Sequence, residues 1–197
     1  MKTVWKKSIN WSLFIAVITL VLAAIFSIVS TAVLSGVGWA IGMLIVLFIV
    51  LIGVVFDMVG VAATAAEEKP FHAMAAKKVP GAYQSMVITR NADKVANFCA
   101  DVIGDISGVV SGAATSAVVI QLAVVLGSQD GSTLQAVLNV VFTAIVAALT
   151  VGGKALGKTF AIQFSTNIIF QVGKFFYVME TKFKLRIFSK KQKKKKA

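Results

Sequence analysis

Apolar positions in this chain fall into four long runs, Trp11–Leu34, Val37–Met58, Val95–Leu126 and Leu134–Val151, separated by shorter polar or charged stretches. A helix needs about 20 residues to cross a hydrocarbon core about 30 Å thick, and each run comes close to or exceeds that length. The pattern predicts four membrane-spanning helices. Ser35 and Gly36 join the first two runs, a link short enough for an antiparallel helical hairpin. Gly127–Thr133, reading GSQDGST, is a plain turn between the third and fourth runs, with Asp130 its only charge.

The polar stretch 59–94 carries Glu67, Glu68, Lys69, Lys77, Lys78, Arg90, Asp93 and Lys94. Alanine on either side of Pro70 predicts short helices, and Pro80-Gly81 marks the turn between two of them, giving a juxtamembrane helix-turn-helix. From Lys154 to Phe188, lysines alternate with Phe160, Phe164, Phe170, Phe175, Phe176 and Tyr177, the composition of an interfacial helix with an aromatic face. Beyond Ser189 a lysine run reads as a disordered tail.

Composition agrees with a membrane assignment: 58% of the 197 residues are hydrophobic and the mean hydropathy is +0.87. Soluble domains hold roughly 45–50% apolar residues. The net charge of +12 gathers at Lys2, Lys6 and Lys7, in the central polar stretch, and in nine Lys or Arg between Lys182 and Lys196. Basic clusters beside apolar runs read as cytoplasmic anchors against anionic lipid headgroups, not as a nucleic-acid groove. Placing both ends and the 59–94 stretch on the cytoplasmic side puts every Lys and Arg inside, as the positive-inside rule prefers. The first run continues too far past Lys6 and Lys7 for a signal-peptide core and reads as a retained helix. Cys99 stands alone, which excludes an internal disulfide and a cysteine-pair metal site; it reads as a small core residue.

Ionisable residues inside such runs are the candidate chemistry, because a charge at the bilayer centre costs roughly 2.5–3.5 kcal/mol on insertion scales. Asn97, Asp101 and Asp105 stand at four-residue steps on one helix face. Hard cations take oxygen ligands, and Mg²⁺ favours one or two carboxylates with retained water. The bland alternative has Asp101 solvated at the interface and Asp105 bonded to a neighbouring helix. Asp57, in FDMVG at the end of the second run, is either an interfacial residue or a ligand facing Asp105. Gly104, Gly108 and Gly112, flanked by Ser107, Ser111 and Ser116, form a small-residue stripe suited to close helix packing, with Ser107 and Ser111 as further oxygen donors. Asn139 and Thr143 read as interhelical hydrogen-bonding groups, and His72 carries no metal role. GGKALGKT, Gly152–Thr159, matches the phosphate-loop pattern in full, but that pattern needs a strand before it and an α/β domain around it. Nucleotide binding is therefore not expected, and Lys154 and Lys158 read as interfacial anchors.

From about Val37 to Glu180 the chain resembles the transmembrane domain shared by the CNNM proteins and the bacterial CorB/CorC magnesium transporters. The resemblance rests on FDMVGVAATAAEEKPFHAMAAKKVPGA, RNADKVANFCADVIGDISG and GKALGKTFA, which take the places of the family's first-helix end, second helix and post-helix stretch. It implies three membrane helices, a juxtamembrane helix-turn-helix between the first two, an interfacial belt after the third, and a homodimer. Asp57 falls where the family has its first-helix serine and Asp105 where it has the asparagine of Gly-Asn, both lining a buried magnesium site. The chain departs from the family in having carboxylates at both positions, Lys154 in place of a glutamate and Gly157 in place of a proline. The family's nucleotide-sensing CBS pair has no counterpart here, so gating by ATP is not expected.

The sequence thus predicts an all-α, polytopic helical membrane protein. It divides into an N-terminal anchor with an additional helix (1–36), a CNNM-like membrane domain (37–181) and a basic cytoplasmic tail (182–197). The expected function is binding and transport of a divalent cation such as Mg²⁺ through Asp57, Asp101, Asp105, Asn97, Ser107 and Ser111. The alternative is a non-transporting scaffold or regulatory protein of the same fold. No nucleophile–base pair or histidine cluster points to an enzyme.

Overall fold

The computed structural model describes residues 2–127 and 132–183, so most of the 127–133 turn and nearly all of the lysine tail lie outside the described residues. The chain is all-α. Among the described residues seven helices follow one another: α1 (Lys2–Ser35), α2 (Trp39–Ala65), α3 (Glu68–Ala76), α4 (Ala82–Arg90), α5 (Ala92–Val125), α6 (Thr133–Gln163) and α7 (Ser165–Phe183). Four of them, α1, α2, α5 and α6, are long and apolar enough to cross a membrane, the build of a multi-pass membrane protein. Most of their large apolar side chains point outward, as expected of helices whose solvent is lipid.

The centre is a three-helix bundle of α2, α5 and α6. Gly42, Val46, Val50, Gly53, Asp57 and Gly60 form the buried seam of α2, recurring at three- and four-residue steps. Glycine in this seam brings backbones together, since lipid offers no hydrophobic drive for helix association and close contact must supply it. A Cβ on Gly53 would lie 2.8 Å from the Ser107 Cβ, and one on Gly60 3.0 Å from the Ala100 Cβ, both on α5. On the α6 side, a Cβ on Gly157 would lie 2.8 Å from Met58 Cγ. The small-residue stripe predicted on α5 is corrected by this geometry. Gly104 packs against α2, but Cβ atoms on Gly108 and Gly112 would meet nothing within 4 Å, and the polar side chains buried on this helix are Ser107, Ser111 and Thr115.

The expected α1–α2 hairpin holds in direction, since Gly42, Gly53 and Gly60 of α2 meet Val118, Ser107 and Ala100 of α5 in reverse order, but α1 finds a different packing partner. The link is short, yet α1 packs along α5, with Ile15, Leu22 and Ala23 against Val102, Ile106 and Val110. Trp11 lies under the Lys94 ammonium at one end and Gln121 Nε2 donates to Leu34 O at the other, so the two helices run parallel. The fourth run extends beyond its predicted end: α6 continues through all of GGKALGKT to Gln163, which rules out a phosphate loop there. The predicted interfacial helix correspondingly begins at Ser165 and not at Lys154.

Near Ala65, α3, α4 and α7 fold into a layer around Phe71, Met86, Ile88 and Ile169, and this core is shared with Ala62 and Ala63 of α2 and Ala161 of α6. Pro70 lies in the first turn of α3, where its missing N–H costs nothing. Gly81 has φ +87°, as the predicted Pro80-Gly81 turn requires, and its bare backbone faces the α7 backbone at Lys174. A clasp of Glu68, His72 and Arg90 holds α3 to α4, with Arg90 Nε donating to the Glu68 carboxylate and His72 Nε2 2.7 Å from the same oxygen. The Arg90 hydrogen bond holds the Glu68 carboxyl below its ordinary value.

Candidate functional site

Five charged side chains gather at the end of the bundle that meets the α3/α4/α7 layer. Asp57 comes from α2, Asp101 and Asp105 from α5, and Lys154 and Lys158 from consecutive turns of α6. Asp57 is 4% exposed because it sits on the inner seam of α2, between the contacts that Gly53 and Gly60 make with α5. Its Oδ2 has no hydrogen-bond partner, and the Lys158 ammonium stands 3.8 Å from that oxygen. Lys154, Asp105 and Asp101 are also near enough to act on its charge.

Asp105 lies on the outer side of α5, its side chain 71% exposed, and accepts a hydrogen bond from Lys154 Nζ at 3.3 Å. The lysine passes Gly104 on the way, its ammonium 3.6 Å from where a Cβ would stand. Asp101 is exposed and Asn97 partly buried. Both belong to a π-helical segment, Asn97–Ile103, in which Gly104 N donates to Cys99 O five residues back. Four residues still make close to one full turn in this wider helix, so the segment leaves Asn97, Asp101 and Asp105 on one side of α5. Half-buried Cys99 lies in the same segment.

Ser107 and Ser111 are buried, one and two turns further along α5. Each hydroxyl donates to its own helix, Ser107 to Ile103 O at 2.8 Å and Ser111 to Gly108 O at 2.9 Å, which leaves their lone pairs free to accept. The Ser107 Oγ faces Gly53, one turn from Asp57. Among the described residues no three His, Cys, Asp or Glu side chains converge as a ready metal cage. Any cation held here would rest on Asp57, hydroxyl or carbonyl oxygens and water, a donor set of the kind Mg²⁺ accepts.

The lysines are the members that the sequence did not assign to the site. They read as anchors, whereas Lys154 is only 19% exposed and each faces a carboxylate of another helix. Their four-residue spacing on α6 was the available signal. Asn139 and Thr143, expected to bond between helices, bond instead to each other along α6 at 3.5 Å. No family model, curated protein or solved structure matches the chain.

Proposed function

We propose that this multi-pass protein binds a divalent cation such as Mg²⁺ at Asp57 and carries it across the cytoplasmic membrane, as a divergent CNNM-like membrane domain. The observation that carries the reading is Asp57 Oδ2, a carboxylate oxygen inside a membrane bundle with no hydrogen bond to satisfy it. Such a group is costly to bury and is retained where a charge has to be met. Asp57 supplies the charge, Ser107 and Ser111 supply neutral oxygens, and Asp101, Asp105 and Asn97 line the approach from the α3/α4/α7 side. That side is cytoplasmic in this reading, with the lysine tail against anionic lipid. A second copy of the chain completes the membrane unit, as the resemblance to the CNNM-like domain implies.

One observation favours the scaffold reading: Asp57 and Asp105 both have a lysine beside them, so their charges are balanced within the chain. Mg²⁺ flux into proteoliposomes separates the two. Transport predicts flux in the wild type and its loss in Asp57→Asn reconstituted at equal density. A scaffold predicts no flux in either.

A further inference from the structure

We infer that Lys158 is a tethered counter-cation, which occupies the Asp57 site when no metal ion is bound and leaves for water when one arrives. The inference rests on the cation-site reading and adds its regulation. At 3.8 Å the Lys158 ammonium is close enough to offset the Asp57 charge but makes no hydrogen bond to Oδ2, so it holds the carboxylate loosely. Its side chain is 52% exposed, and its flexible four-carbon stem lets the ammonium rehydrate without moving the helix. Lys154 differs in both respects, being 19% exposed and hydrogen-bonded to Asp105 at 3.3 Å, and it stays in place.

A metal ion bound to Oδ2 takes the oxygen that Lys158 faces and repels the ammonium across a few ångströms, so the two occupants exclude each other. The coupling is reciprocal: to the extent that the ion expels Lys158, Lys158 weakens the ion. Lysine in this role sets the affinity low enough for release, and exchanging an ammonium for a divalent ion limits the charge change in the apolar bundle.

The test is thermal unfolding of the detergent-solubilised full chain across a Mg²⁺ titration, for wild type, Lys158→Met, Lys158→Gln, Lys158→Arg and the double variant Asp57→Asn/Lys158→Met. The expected result is a Mg²⁺-dependent rise in Tm whose half-saturation falls about tenfold or more in Lys158→Met and Lys158→Gln, since a like charge at the site is gone. Lys158→Arg, which keeps the charge, stays close to wild type, and the double variant loses the rise. A half-saturation unchanged in both neutral variants, with the wild type responding, overturns the counter-cation and leaves the cation site standing. No response in the wild type or in either neutral variant overturns the cation site itself. Should Lys158→Met not fold, Lys158→Gln alone decides between these outcomes.

Discussion

Asp57 combines an ionisable carboxyl, near-complete burial and an oxygen with no hydrogen bond, so it works against the fold that holds it. A buried carboxylate without a hydrogen bond carries a desolvation cost that a neutral amide of the same shape largely avoids. Asp57→Asn is therefore expected to leave stability in cation-free detergent unchanged or to raise it by about 1 kcal/mol, because half-exposed Lys158 turns to water when its partner is neutral. Thermal unfolding checks this, and a clear loss of stability would mean that the carboxylate is a structural group. The sequence marked Asp57 and Asp105 alike as ionisable residues within apolar runs. It did not separate the buried one from the exposed one, since α2 is apolar on every side and its inward seam emerges only when α5 and α6 are in place. The partners of both carboxylates come from a helix distant in sequence, which is why Lys154 and Lys158 read as anchors.

At the level of the elements, contact between helices is decided by single atoms. A Cβ at Gly53 pushes α2 away from Ser107, so Gly53→Ala is expected to cost about 1–3 kcal/mol, the usual penalty for overpacking. Gly108→Ala enters open space and should gain about 0.5–1 kcal/mol from lower chain entropy in the unfolded state and better helix propensity. Unfolding of the two variants side by side checks the sign of each. The α3–α4 clasp adds a pH dependence. The Glu68 carboxyl titrates below its ordinary value in the fold, so its contribution is complete above the ordinary glutamate range and is lost as pH falls through the lowered value. Amide hydrogen exchange in α3, corrected for the intrinsic rate, should accelerate over that acid range in the wild type and show no such step in Glu68→Gln. Helix number and the Pro80-Gly81 turn were legible because length and glycine chemistry act locally. The π-helical segment was not, since no residue in NFCADVI demands the wider turn and the packing of Ala96 and Ala100 against Gly60 accompanies it.

For the whole molecule, the architecture separates an apolar bundle from a polar layer and places every described charge of α2, α5 and α6 at the junction between them. The four runs announced a multi-pass protein because nothing else accounts for their length and hydropathy. Tertiary arrangement was less readable. The short link after α1 suggested an antiparallel hairpin, and the direction holds, but α1 packs on the α5 face that presents Val102, Ile106 and Val110. The central claim is that Asp57 holds a divalent cation inside the bundle. Electron paramagnetic resonance of Mn²⁺, titrated as a stand-in for Mg²⁺ into the full chain in lipid nanodiscs, reads bound ion directly. The account predicts one protein-bound Mn²⁺ per chain, displaced by excess Mg²⁺ and absent in Asp57→Asn. Undiminished Mn²⁺ binding in Asp57→Asn, or no specific binding in the wild type, would contradict it.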